Sequence, residues 1–91
     1  MFTRCLATEW GAYNINVNAI GPGSVMTELS APVLNDPERK EAILKSVPMG
    51  RTCEPREIGL LAVYLASEAS NYVTGQTFYI DGGQVTRGNG Y

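Results

Sequence analysis

The stretch that decides the fold is Ile15-Asn16-Val17-Asn18-Ala19-Ile20, followed at once by Gly21-Pro22-Gly23. Apolar residues fall at alternate positions in a β-rich composition, which predicts a strand, and the Gly-Pro-Gly that follows predicts its end. Upstream, Phe2, Cys5, Leu6 and Trp10 lie on one stripe at helical spacing, with Gly11 as the expected stop. Nothing before Phe2 offers a side-chain cap. The amphipathic pattern is already running at the first residue, so we expect further polypeptide upstream in the intact protein, the alternative being a short frayed N-terminal helix.

Downstream, the segment from Met26 to Val33 reads as a short helical turn before Pro32. Asp36-Pro37-Glu38 then predicts a helix start, with Asp as N-cap, Pro at the first helical position and an acid in the first turn. That helix carries Ala42, Ile43 and Val47 on one side and should end before Pro48. A further helix opens at Pro55, and its body, Ile58-Gly59-Leu60-Leu61-Ala62-Val63-Tyr64-Leu65-Ala66, has no polar face. Such a helix needs cover on most sides. Gln76-Thr77-Phe78-Tyr79-Ile80 predicts a second strand, stopped by a hydrogen-bonding turn at Asp81-Gly82-Gly83. Gln84 to Tyr91 is expected to be a flexible or loosely docked tail.

The order is helix, strand, helices, strand. Two strands joined by a long helical crossover make a parallel β-α-β unit, normally buried on both faces within a larger sheet. Two strands alone are not an independently stable sheet. The fold class expected from the residues alone is therefore α/β, a slice of an open parallel sheet with an apolar strand edge left unpaired.

Composition narrows the function classes. The 91 residues carry a net charge of −2, with 44% hydrophobic and 18% charged residues, and no basic cluster that would favour nucleic acid. No stretch approaches a membrane span. Cys5 and Cys53 are too few and too far apart for a disulfide framework, so they read as reduced thiols in a cytoplasmic protein. With no histidine and no close Cys pair, no metal site is expected.

Four ordered segments resemble the short-chain dehydrogenase/reductase family. They are Leu6-Ala7-Thr8-Glu9-Trp10-Gly11 with Ile15–Ile20; Pro22-Gly23-Ser24-Val25-Met26-Thr27; Pro48-Met49-Gly50-Arg51 with Glu54-Pro55-Arg56-Glu57-Ile58; and Tyr72-Val73-Thr74-Gly75-Gln76 running into Ile80-Asp81-Gly82-Gly83. The resemblance covers nearly the whole chain and places it after the family's catalytic tyrosine and lysine, which implies that residues 1–91 form the C-terminal portion of a Rossmann-type doubly wound parallel sheet.

It implies a nicotinamide cofactor, NAD or NADP. The backbone around Pro22 and Val25 would meet the carboxamide, Gly23 would allow close approach, and the Thr27 hydroxyl would lie beside it. Met26, Leu29, Val33 and Leu34 fall in the family's substrate-covering segment, where they fit either a pocket lining or simple packing. Arg51 is expected to be structural. The implied reaction is hydride transfer between NAD(P)(H) and a small-molecule alcohol/ketone pair, in a homo-oligomer.

No catalytic residue is assigned. The glycine-rich nucleotide fingerprint is not among these residues, and neither tyrosine candidate has its lysine: Tyr13 is followed four residues on by Val17, and Tyr64 by Glu68. The expectation is a chain inactive alone. The alternative is a non-enzymatic remnant serving as an oligomerisation or interaction module.

Overall fold

Two short strands, β1 (Ala19–Pro22) and β2 (Thr77–Ile80), pair in parallel with Ala19 opposite Thr77 and Pro22 opposite Ile80. The structure is a computed structural model that describes residues 1–25 and 31–87. Helix α1 (Phe2–Trp10) precedes β1. The crossover to β2 runs through the single turn α2 (Ala31–Leu34), α3 (Pro37–Ser46) and α4 (Pro55–Ala66). The expected β-α-β unit is present, and α4 packs against β1.

Several boundaries differ from expectation, each for a visible reason. The strand begins at Ala19 rather than Ile15, because the preceding residues are held to the facing segment mainly by bonds that involve side chains, with one backbone bond from Gly75 N–H to the Val17 carbonyl (2.7 Å). Val17 N–H donates to Thr74 Oγ1 (2.9 Å), and Asn18 Nδ2 donates to the Val73 carbonyl (2.9 Å). Gln76 N–H donates back to Asn18 Oδ1 (3.2 Å), and Asn16 Nδ2 reaches the carbonyls of Ser70 and Asn71. The strand also continues through Gly21-Pro22. Ala19 and Gly23 donate to Gln76 and Ile80, so Pro22 falls on the alternate phase and its missing N–H costs no ladder bond.

α1 ends at Gly11 as expected, but Gly11 does not turn the chain away. It stays right-handed (φ −57°), the chain tightens into a 3-10 turn over Gly11–Tyr13, and Asn14 reverses it at φ 63°. Asn14 N–H bonds to Gly11 and Ile15 N–H to Trp10, a Schellman closure in which asparagine takes the left-handed position. Pro32 lies inside α2 instead of beyond a helix. It sits in the first turn, where no N–H is required. The Asp36 cap is as expected: its Oδ1 accepts from Glu38 N–H (3.1 Å), with Pro37 leading α3. Gln84–Arg87 forms a docked 3-10 turn at the start of the expected tail.

The core is slight. Among the described residues the buried apolar side chains are Ala7, Leu34 and Val47. Ser70, the buried polar one, spends its hydroxyl on the Leu65 carbonyl (2.9 Å), closing the end of α4. No residue of α4 is buried, and Leu60 and Val63 are 52% and 66% exposed. The radius of gyration is 15.6 Å, against about 12 Å for a compact domain of this length. The accessible surface is 6619 Å², against roughly 5,200 Å² for a monomer of this mass. The helix expected to need cover is bare on one side.

Candidate functional site

The carboxyl end of β1 is where sequence and fold converge. Beyond Pro22 the chain keeps its register: Gly23 N–H donates to the Ile80 carbonyl (3.1 Å). One residue later the Ser24 carbonyl accepts from Cys53 N–H (2.8 Å), and Val25 bridges Cys53 in parallel. The turn is thereby held on one side by β2 and on the other by the segment that leads into α4. Pro22 is exposed, and Gly23, Ser24 and Val25 are half-buried. Of the six candidate site residues, the structure brings Pro22, Gly23 and Val25 together in this turn. Met26, Thr27 and Leu29 lie outside the described residues, as does the side chain of Val33. Leu34 is buried, the packing alternative of its two readings.

The second wall owes its shape to Arg51. Its guanidinium grips Glu57 with both arms, Nη1 to Oε1 at 2.8 Å and Nη2 to Oε2 at 3.1 Å, and Nη1 also reaches the Thr52 carbonyl. Glu57 Oε1 further accepts from Glu54 N–H (3.0 Å), the backward half of a capping box on α4. These bonds bind residues 51–54 to the first turn of α4 and hold Cys53 beside Ser24. The structural role expected of Arg51 is what it has.

Paired with Arg51 and the Glu54 amide, the Glu57 carboxyl is pulled down to about 2. A lowered folded value stabilises the fold above the ordinary carboxylate range, and that contribution is lost as pH falls from 4.5 toward 2. In an Arg51→Met variant, carboxylate NMR titration should find the Glu57 midpoint moved up from about 2 toward 4.5. An unmoved midpoint would show that the ion pair does not form.

Burial, helped by Glu57, pushes the Cys53 thiol up, and its Sγ donates to the Glu54 carbonyl. It is a packed thiol and not an activated nucleophile. Among the described residues no three His, Cys, Asp or Glu side chains gather as metal ligands. No described helix is long and apolar enough to cross a membrane.

At the end of β2, Asp81 organises the turn foreseen there. Its Oδ1 accepts from Gly83 N–H (2.9 Å) and its Oδ2 from Val85 N–H (3.2 Å), with Gly82 and Gly83 at φ 64° and 92°. Ser24, Val47, Cys53, Ile80 and Gly82 help line a cleft of about 90 Å³. Ligand sites usually run to ~300–1,000 Å³. The cleft is a seam between elements, too small to hold a dinucleotide. The asparagine clamp of Asn16 and Asn18 was missed in the sequence. Its signal was there, in two asparagines set where a regular strand would place them poorly.

Residues 1–85 match a family model described as enoyl-(acyl carrier protein) reductase. A solved short-chain type dehydrogenase/reductase from Mycobacterium ulcerans superposes with a TM-score of 0.91 at 33% identity, over 93% of this chain and 31% of that one. This chain belongs to the short-chain dehydrogenase/reductase family.

Two further members of the family show how it lies among them. The 2-dehydro-3-deoxy-D-gluconate 5-dehydrogenase of Bacillus subtilis is 46% identical over 85 residues, 93% of this chain and 34% of that relative. A structure from Agrobacterium tumefaciens with bound NADP gives a TM-score of 0.92 at 42% identity, covering 94% of this chain and 35% of that one. The chain thus spans about a third of the length of the short-chain dehydrogenases/reductases it matches. Its two parallel strands are a small part of their doubly wound sheet.

Proposed function

We propose that this chain forms the carboxyl-terminal part of the nucleotide-binding sheet of an NAD(P)(H)-dependent oxidoreductase. That enzyme would move hydride between the cofactor and a small-molecule alcohol/ketone pair. The observation that carries the reading is the doubly held turn Pro22–Val25 at the carboxyl end of a parallel strand, the edge at which open α/β sheets bind nucleotides.

The residues present fit the cofactor's amide end. A carboxamide offers one donor and one acceptor, and a turn with fixed backbone can meet both and select which ring face is presented. Pro22 stands exposed there and Gly23 adds no side chain. In this reading Thr27 supplies a hydroxyl beside the carboxamide, while Met26 and Leu29 face the substrate. The cofactor supplies the hydride. The residues of this chain orient it, and the proton-transferring acid belongs to polypeptide outside these 91 residues. Relatives named for sugar-acid dehydrogenation favour a polyhydroxylated substrate, and a homo-oligomer in the cytoplasm suits the family and the two free cysteines.

The test is a chimera in which this chain replaces the matching third of the Bacillus subtilis relative. It should fold, bind dinucleotide and transfer hydride. Thr27→Val within it should raise the nucleotide KM about 3- to 10-fold, the worth of one hydrogen bond. A folded chimera that binds no dinucleotide would sink the reading. A nucleotide KM indifferent to Thr27→Val would remove Thr27 from the site. The 91-residue chain alone should show no micromolar dinucleotide affinity by calorimetry.

A second reading, a non-enzymatic interaction module, is favoured by one observation, the exposure of Leu60 and Val63 on α4. It predicts association without any nucleotide contact in the chimera.

A further inference from the structure

We propose that the turn Asp81–Gly83 together with Gln84 is the joint that sets where the α2–α3 helix pair stands relative to the carboxyl edge of the sheet. The pair packs mainly within itself, and α3 buries none of its residues. Among the described residues, a short run of contacts ties its far end to the sheet.

Gln84 Nε2 donates to Ser46 Oγ (2.9 Å), and the same Ser46 hydroxyl donates to the Ile43 carbonyl (2.7 Å). Its donor and one acceptor site are thus both committed, and the side-chain tie runs directly into the last turn of α3. Val47, the next residue, is buried, and Gly82 lies so close beneath it that an added Cβ would come within 2.7 Å of its Cγ1. Pro48 sits over Gly83, where a Cβ would meet its Cγ at 3.1 Å. Met49 N–H then donates to the Gly82 carbonyl (3.1 Å).

Four consecutive residues, Ser46 to Met49, are therefore registered on three consecutive residues of the turn, Gly82 to Gln84. The turn itself is stiffened by both oxygens of Asp81. Because it is the direct continuation of β2, the end of that strand determines the attitude of α2–α3. In the oxidoreductase reading, on which the functional meaning of the joint rests, Gln84 is a positioning residue. It aligns the segment after the nucleotide turn through Ser46.

The test is residue-resolved amide exchange on the folded chimera described above, without nucleotide, in Gln84→Ala, Ser46→Ala and the double variant. Removing one neutral side-chain hydrogen bond should speed exchange at Met49 about 5- to 10-fold in either single variant. The double variant should add nothing further, since both changes delete the same tie. Exchange at Ala19 and Gly23, whose amides lie in the β1–β2 ladder, should stay within about twofold.

Unchanged exchange at Met49 would overturn the proposal. So would additive effects, a parallel loss of protection at Ala19 and Gly23, or a Met49 amide unprotected in the unaltered chimera. No cofactor enters this experiment, so its failure leaves the nucleotide reading to the binding assay, and a folded chimera that binds no dinucleotide leaves the joint standing.

Discussion

A Leu60→Gln, Val63→Gln double variant should remain monomeric at concentrations where the unaltered chain associates. Leu60, Val63 and Tyr64 lie at positions i, i+3 and i+4 of α4, so they share one face, and all three are exposed. The opposite side of the helix packs on β1. Full burial of a leucine or valine is worth ~1.5–3 kcal/mol, and these two side chains are already partly covered. Covering the remainder should give about 1 kcal/mol each.

In a two-fold pairing each change is felt twice, so the two substitutions should weaken self-association by about 4 kcal/mol, roughly a thousandfold. Glutamine keeps the helix propensity, which separates loss of the face from loss of the helix. Sedimentation equilibrium reads the result directly. A parent chain that stays monomeric throughout the micromolar range would show that this face does not drive association.

Gly82→Ala should be the most damaging of three glycine-to-alanine changes. Gly82 holds φ at 64°, where alanine is strained, and its new Cβ would lie 2.7 Å from Cγ1 of the buried Val47. Gly50 has the same kind of backbone (φ 72°) but nothing within 4 Å, so its alanine variant carries the strain alone. Gly59 lies inside α4 with nothing within 4 Å and no positive φ, so alanine there only gains helix propensity.

The expected order in stability is a loss of about 3 kcal/mol for Gly82→Ala, a loss of about 1 kcal/mol for Gly50→Ala, and a gain of about 1 kcal/mol for Gly59→Ala. Urea midpoints at one fixed protein concentration check it. If Gly82→Ala costs no more than Gly50→Ala, the contact with Val47 is not made. If Gly59→Ala is destabilising, something packs closely against that side of α4 in solution.

The architecture was legible because its signals are local. Asp36-Pro37 and Pro55 mark helix starts through capping chemistry that acts within one turn, and both helices begin there. The parallel pairing followed from element order alone. Boundaries were less legible, because they were settled by partners distant in sequence. Asn16 and Asn18 draw their segment toward residues 70–76, so the pattern that read as a strand from Ile15 forms ladder bonds only from Ala19. Gly11 ends α1 as its residue type suggests, but the reversal waits for Asn14, which takes the left-handed position because the Schellman bonds close three residues later.

The same division holds at the site. The turn Pro22–Val25 was recognisable from its own residues, and Arg51 from its place before α4. That Cys53 forms the second wall, and that Gln84 reaches Ser46, depend on contacts across 28 and 38 positions. No local pattern encodes them.

Among the described residues the apolar core is Ala7, Leu34 and Val47, and α4 keeps a bare face, so these surfaces call for cover from another copy or from further polypeptide. Differential scanning calorimetry at two protein concentrations tests this most directly. A self-contained domain of this length should absorb about 60 kcal/mol near 60 °C. We predict an enthalpy well below that value and a midpoint that rises with concentration, as association-linked stability requires. A cooperative transition of full enthalpy, with a midpoint indifferent to concentration, would contradict it.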